Sequence, residues 1–544
     1  MGERSAPGRT SRAWAVAGSV LLAAAVLAAC GSSGPSGSGR SGGSVLLVGT
    51  FDGHSGHFKT IASAVRAARP GDWILVAPGD YHEVADQSGS PGSPAQGRFG
   101  AVLITTSGVH LRGMNRNTVI VDGTKAGSPG SCSSQPGQQN FGPLNTAGKA
   151  EGRNGIVVWK ANDVSIENLT ACNFLGGAGD AGNGIWWNGG DGSGKIGLHG
   201  YSGNYLTATT SYFGAEDTGA QYGIFSSNAA GPGDWNELYA SNFNDSGMYV
   251  GACLQACDMT IKGSWMEYNA LGYSGTNSGG SILIENNQFD NNEDGFDTNT
   301  QINGDPPAPQ NGACPNGGIS PITHTHSCWV FMHNDSHDNN NPNVPRAGTA
   351  SAGPVGTGMT LSGGRNDTVM DNTFSDNGAW GILFVPFPDA NKPSLNQNCA
   401  RTGGVENGAF GCVYDPMNDA LLDNTFTNNG YFGNPGNADF GQIVLNAGQR
   451  QNCYAGNHAP NGSAPPNLEQ LQPTCGAITT TANTGGPLLA QVLCDTGFSG
   501  CPAGANYPKV TGVIVHPLPK DLPTMPNPCQ GVPENPWCPG GRPA

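Results

Sequence analysis

Along residues 238–298 apolar and polar positions alternate in short runs, each closing on Asn, Asp or Gly: LYASNFNDSG, then TIKGSWMEYNALG, then SILIENNQFDNNEDG. That alternation is the two-residue period of a strand with one face buried. The aromatics Phe243, Trp265 and Phe289 mark one position of three copies, 22 and 24 residues apart. A period of that size, made of β-branched and aromatic runs punctuated by Gly and Asn, predicts a solenoid whose repeats stack as coils.

Coils can be threaded before and after this stretch, among them AVLITTSGVHLRGMNRNTVIVDG, NGIVVWKANDVSIENLTACNF, GMTLSGGRNDTVMDNTFSDNG and ALLDNTFTNNG. Aligning Phe289, Phe374 and Phe426 puts Asn287, Asn372 and Asn424 in one column, with Asn168 and Asn334 as further members. Stacked amides at a turn can hydrogen-bond along the solenoid axis, which assigns these asparagines to structure. Ile61, Ala64, Val65 and Ala68 recur at helical spacing and Pro70-Gly71 stops them, predicting a helix over 58–69 that caps the exposed first coil. Coils are expected over 45–455. The longest irregular stretches, 124–153, 300–327, 341–357 and 386–418, interrupt the period and are where binding is expected. The proline-dense extension 456–544 cannot feed a sheet ladder, so it is expected to lie against the solenoid or extend from it.

Composition narrows the class. The 544 residues include 86 Gly and 39 Pro, which leaves little room for long helices, and the formal net charge of −16 excludes a nucleic-acid partner. Arg4, Arg9 and Arg12 precede an apolar run, Ala13 to Ala29, that is short for a membrane span: an export signal over 1–29. Leu27-Ala28-Ala29-Cys30 resembles the lipobox of bacterial lipoproteins, which implies lipidation at Cys30; an ordinary signal peptide is the alternative. The Gly/Ser-rich segment 30–44 would then be a flexible tether on the cell surface. Fifteen cysteines suit an oxidising compartment, and sequence neighbours suggest the pairs Cys253–Cys257, Cys314–Cys328, Cys399–Cys412 and Cys529–Cys538.

The segment FKTIASAVRAARPGDWILVAPGDYHE resembles the entry segment of pectin-lyase-like right-handed β-helix proteins. That resemblance and the repeat period lead to one expectation: an all-β, single-stranded right-handed parallel β-helix with an N-terminal capping helix. The catalytic signatures of the pectin methylesterases are missing, so that activity is not carried over. Glu293-Asp294-Gly295-Phe296-Asp297 resembles the DDGxD segment of calcium-dependent pectate lyases, which implies Ca2+ held by Glu293, Asp294 and Asp297. The lysine base of those enzymes has no counterpart between Lys262 and Lys392; Arg365, His333 and His337 are the nearby alternatives.

Counting from the column aromatics, Asp245 and Glu267 fall two residues on, which would stack them beside the 293–297 carboxylates as catalytic candidates. Glu216 and Asp217 follow Tyr212 at the Glu293/Asp294 spacing, and with Trp187 and Tyr212 they form a candidate sugar-binding set, since exposed rings beside carboxylates hold sugars. His324, His326, His333 and His337 form a second constellation, read as a metal site, a general base or a polar turn cluster. The expected protein is a monomeric, lipid-anchored β-helix that binds and cleaves polysaccharide, by lyase or hydrolase chemistry. A non-catalytic glycan-binding or scaffolding protein of the envelope is the alternative.

Overall fold

The computed structural model describes residues 43–84, 100–179, 181–190, 197–251, 257–276, 278–299, 320, 324, 329–389, 399–408, 410–476 and 486–540. Three long parallel sheets of twelve, ten and eleven strands run through them, and in each sheet the strands stack in sequence order. Ten successive coils therefore give one strand to each sheet, and the coils at the two ends give fewer. The coil at the centre contributes Ile282–Glu285 to the first, Gln288–Asp290 to the second and Asp294–Asn299 to the third. This is a right-handed parallel β-helix, the hand that parallel crossovers of L-residues take.

Two single-residue turns set the coil's shape. Tyr205, Glu237, Asn286, His333, Asp371 and Asp423 have φ between 48° and 58° where the first sheet passes to the second, and Asn242, Tyr268, Asn291, Asp338, Asp376 and Asn428 repeat the device where the second passes to the third. The next residue points inward. At the first turn it is Asn287, Asn334, Asn372 and Asn424, joined by backbone N–H to side-chain Oδ1 bonds of 2.9, 2.9 and 3.0 Å. This is the expected asparagine column, and it continues to Asn457. Asn168 is not in it: with φ 58° it holds the left-handed position itself, and the inward place falls to Leu169. The second turn carries another ladder, Asn269, Asn292, Asn339, Asn377 and Asn429, which the aromatic alignment missed.

The aromatic column holds for Phe289, Phe374 and Phe426, which share a register position with Ser336. Trp265 pairs with Gln288, one place off, and Phe243 takes the second-ladder position, where its N–H donates to Asn269 at 3.0 Å. The expected stacking of Asp245 on Glu267 falls with that shift. A glycine column fixes the third sheet. A Cβ on Gly247, Gly272, Gly295 or Gly358 would sit 2.9, 2.3, 2.4 or 2.6 Å from the carbonyl oxygen of the glycine one coil on. Glycine is required there by close approach of backbones rather than by φ.

The capping helix is Ile61–Ala67, shorter than 58–69. Thr60 caps it, and Glu83 accepts the Ile61 and Ala62 amides at 2.5 and 3.2 Å. Ile61, Ala64 and Val65 seal the core of the first coil. The last strand of the third sheet is Ser463–Ala464, so the coils run past 455. The extension lies against the solenoid and returns along its length. Asn506 binds Asn434, His516 binds Asn242, Thr524 binds Asn168, and Arg112 donates to the carbonyls of Pro528 and Gln530. Val532 and Trp537 end in a cluster with Leu47, Trp73 and Leu75 of the first strands. Extended proline-rich chain suits this path because it asks for few hydrogen-bond partners of its own.

Five disulfides occur among the described residues: Cys132–Cys172, Cys399–Cys412, Cys453–Cys475, Cys494–Cys501 and Cys529–Cys538. They mark a chain that folds in an oxidising compartment. Two are expected pairs. Cys257 is also disulfide-bonded, whereas Cys253, Cys314, Cys328, His326 and the first 42 residues, Cys30 included, lie outside the described residues.

Candidate functional site

The third sheet carries the site on its outer face. Alternation sends Ile185 and Trp187 into the core and Trp186 outward. Trp187 is fully buried against Tyr201 and Trp235, so the expected sugar contact at Trp187 is corrected to a core role. Successive coils put Trp186 on Phe225 at 5.2 Å and Tyr222 on Tyr249 at 5.0 Å, both stacked. The next two coils place Ser274 and then Asp297 at the register position of Tyr249.

Here a groove of about 680 Å³ opens, floored by this sheet and walled by the 341–357 and 386–418 insertions and the helix Pro487–Asp495. Asp245, Asp297, Tyr222 and Tyr249 line one end. Burial pushes Asp245 up to about 7, with Asp297 adding to the rise and hydrogen bonds from Tyr222 and Ser246 opposing it. Burial likewise raises Asp297 to about 6, against a 2.9 Å hydrogen bond from Ser362. No Lys, Arg or His is among the described residues of the lining. The sequence singled out Asp245 and Asp297 but passed over Tyr222 and Tyr249; the column glycines were the signal, since Tyr249 follows Gly247 by two residues as Asp297 follows Gly295, and Tyr222 directly precedes Gly223.

The remaining candidates lie elsewhere. Glu267 is on the second sheet in register with Asp290 and His337, and it accepts a 2.6 Å hydrogen bond from Tyr239. Burial works to lower the His337 pKa, but Asp338, Asp290 and Asp335 outweigh it and leave it raised. His333 is an exposed turn residue and His324 an exposed residue of another segment. Arg365 is buried over the Tyr414 ring and donates to the carbonyls of Thr402 and Gly403, so it anchors the 386–418 insertion instead of facing the groove. Tyr212 packs against Phe141, and Glu216 and Asp217 sit on an exposed single-turn helix, Glu216–Thr218.

Glu293, Asp294 and Asp297 do not fit a shared calcium ion. Glu293 binds Arg346; Asp294 accepts from Thr360 and the Phe296 amide; Asp297 accepts from Ser362. They are not among the trios of described residues whose ligand atoms lie within 4.8 Å of one another. Gly295 explains the motif otherwise, as a member of the glycine column.

Fold and groove together define a parallel β-helix protein with an external cleft on one sheet. No protein-family model matches the sequence, and no curated protein matches it. Among solved structures, the chain is similar to the A-module of a mannuronan C-5 epimerase from Azotobacter vinelandii, with 13% identity over 73% of this chain and 88% of that one and a TM-score of 0.42. It is also similar to a family 28 exopolygalacturonase from Yersinia enterocolitica, at 9% identity over 76% of each chain and TM-score 0.39. An alginate lyase from Paenibacillus gives 11% identity over 75% of this chain and 93% of that one, with TM-score 0.34.

Proposed function

We propose that this protein binds an uncharged polysaccharide in the groove of the third sheet and hydrolyses it, with Asp245 as general acid and Asp297 as base or nucleophile. The observation that carries the reading is a pair of half-buried carboxylates, each raised but unequally, beside stacked tyrosines in a cleft with no cationic side chain among the described residues of its lining. Glycoside hydrolysis needs one protonated and one ionised carboxyl flanking the bond, and Asp245 at about 7 and Asp297 at about 6 supply that pair between those values. Among the described residues of the lining a uronate would meet Asp245, Asp297 and Asp389 and no cation, which favours hydrolysis of a neutral glycan over the lyase reading. The protein is exported and held at the cell surface through Cys30.

The test is reducing-end release from a panel of uncharged glycans by the full chain and by Asp245→Asn and Asp297→Asn. The expected result is hydrolysis lost in both variants with binding retained, and a bell-shaped rate profile peaking between the two pKa values. Hydrolysis that survives Asp245→Asn overturns the assignment. Binding without any hydrolysis by the parent leaves the non-catalytic glycan-binding protein.

A further inference from the structure

The groove has two unlike ends. Beyond the tyrosines and carboxylates its lining turns aliphatic: Val413 from the 386–418 insertion, Ile443 and Leu445 after the strand Ala438–Gln442, and Leu489, Val492 and Leu493 from the helix Pro487–Asp495. Phe387, Phe410 and Asp389 line this end too, but the branched aliphatic side chains offer sugars neither a flat ring face nor a hydrogen bond, so a bare glycan would leave that part of the wall unmatched. Apolar surface left in water costs ~25 cal/mol per Å². Phe498 adds to it at the rim, 67% exposed.

We propose that the ligand is amphiphilic: an uncharged saccharide bearing an alkyl or acyl chain, with the sugar at the Asp245/Asp297 end and the chain against the aliphatic wall. This rests on the glycan reading of the same groove and adds the second moiety. Charge selects the headgroup. With Asp245, Asp297 and Asp389 in the lining and no Lys, Arg or His among its described residues, a free fatty acid or a phosphate-bearing headgroup is repelled, and a neutral polyhydroxylated one is not.

Calorimetric titration of the full chain with hexyl, octyl and decyl β-glucoside, below their micelle concentrations, tests this against decanoate and unsubstituted oligosaccharide. Affinity is expected to rise about three- to fourfold per methylene, the value of ~0.8 kcal/mol for a buried CH2, and decanoate should bind far more weakly than decyl glucoside. Leu493→Asn and Phe498→Ser, at partly exposed positions the fold does not rely on, are expected to flatten the chain-length dependence. A flat series in the parent, or decanoate binding as tightly as decyl glucoside, overturns the proposal. If unsubstituted glycans are hydrolysed while the series is flat, this inference fails alone; if the series rises and nothing is hydrolysed, the hydrolase reading fails and the amphiphile site stands.

Discussion

Asn372 is the best place to test how the coils are held. Its Nδ2 donates to the Phe331 carbonyl at 3.0 Å and to Asn424 Oδ1 at 2.9 Å, while its Oδ1 accepts from the Asn334 backbone at 2.9 Å and side chain at 3.1 Å. All of it is buried. In Asn372→Ala the Asn334 amide loses its partner, the Phe331 carbonyl loses a donor, and a small void is left. At ~1–3 kcal/mol for each buried group left unsatisfied, the loss should be about 3–5 kcal/mol. Asn372→Asp keeps the volume but turns a donor into an acceptor facing two oxygens, so at pH 8 it should cost more than alanine. Its folded-state pKa must then lie above the unfolded value, so its stability relative to alanine is regained as pH falls and the carboxyl is protonated. Urea denaturation at pH 5 and pH 8, with hydrogen exchange at the Asn334 amide, measures both effects. If Asn372→Ala stays within ~0.5 kcal/mol of the parent, or the aspartate variant matches alanine at both pH values, the ladder does not carry the load assigned to it.

Other expectations concern buried charge, metal and anchor. Asp419, at a third corner, accepts the Asp367 amide at 3.0 Å and is raised to about 8, mainly by burial. Its favourable contribution is therefore complete below the unfolded value near 3.8 and is lost as pH climbs toward 8, at up to ~1.4 kcal/mol per pH unit; Asp419→Asn should remove that slope and stabilise the protein at pH 8 in thermal melts. Calcium at millimolar concentration, or a chelator, should leave the melting temperature unchanged, because Glu293, Asp294 and Asp297 are engaged by Arg346, Thr360 and Ser362; a rise of several degrees with calcium would restore the metal site. Cys30→Ala should move the protein from the membrane fraction to the soluble extracytoplasmic fraction on cell fractionation, and unchanged membrane association would count against lipidation there.

The repeating alternation, the Gly and Asn punctuation and the Asn287–Asn424 spacing determined the coil, because a two-residue period with one turn per strand leaves a chain few other ways to bury its apolar face. The sequence also carried the cap, for Ile61, Ala64 and Val65 make an apolar stripe only on a helix. Register was another matter. Phe243 and Trp265 looked equivalent to Phe289, yet Phe243 fills a ladder position and Trp265 faces outward, and a one-place slip turns every side chain to the opposite face. That slip put Glu267 beside Asp245 when it belongs to another sheet; which of Trp186 and Trp187 faces outward was likewise a matter of register, and Trp186 is the one that does. The groove's aliphatic wall was out of reach for a different reason: Leu489, Val492 and Leu493 stand nearly two hundred residues from Asp297 in the chain, and only the return of the extension onto the solenoid brings them to one cavity.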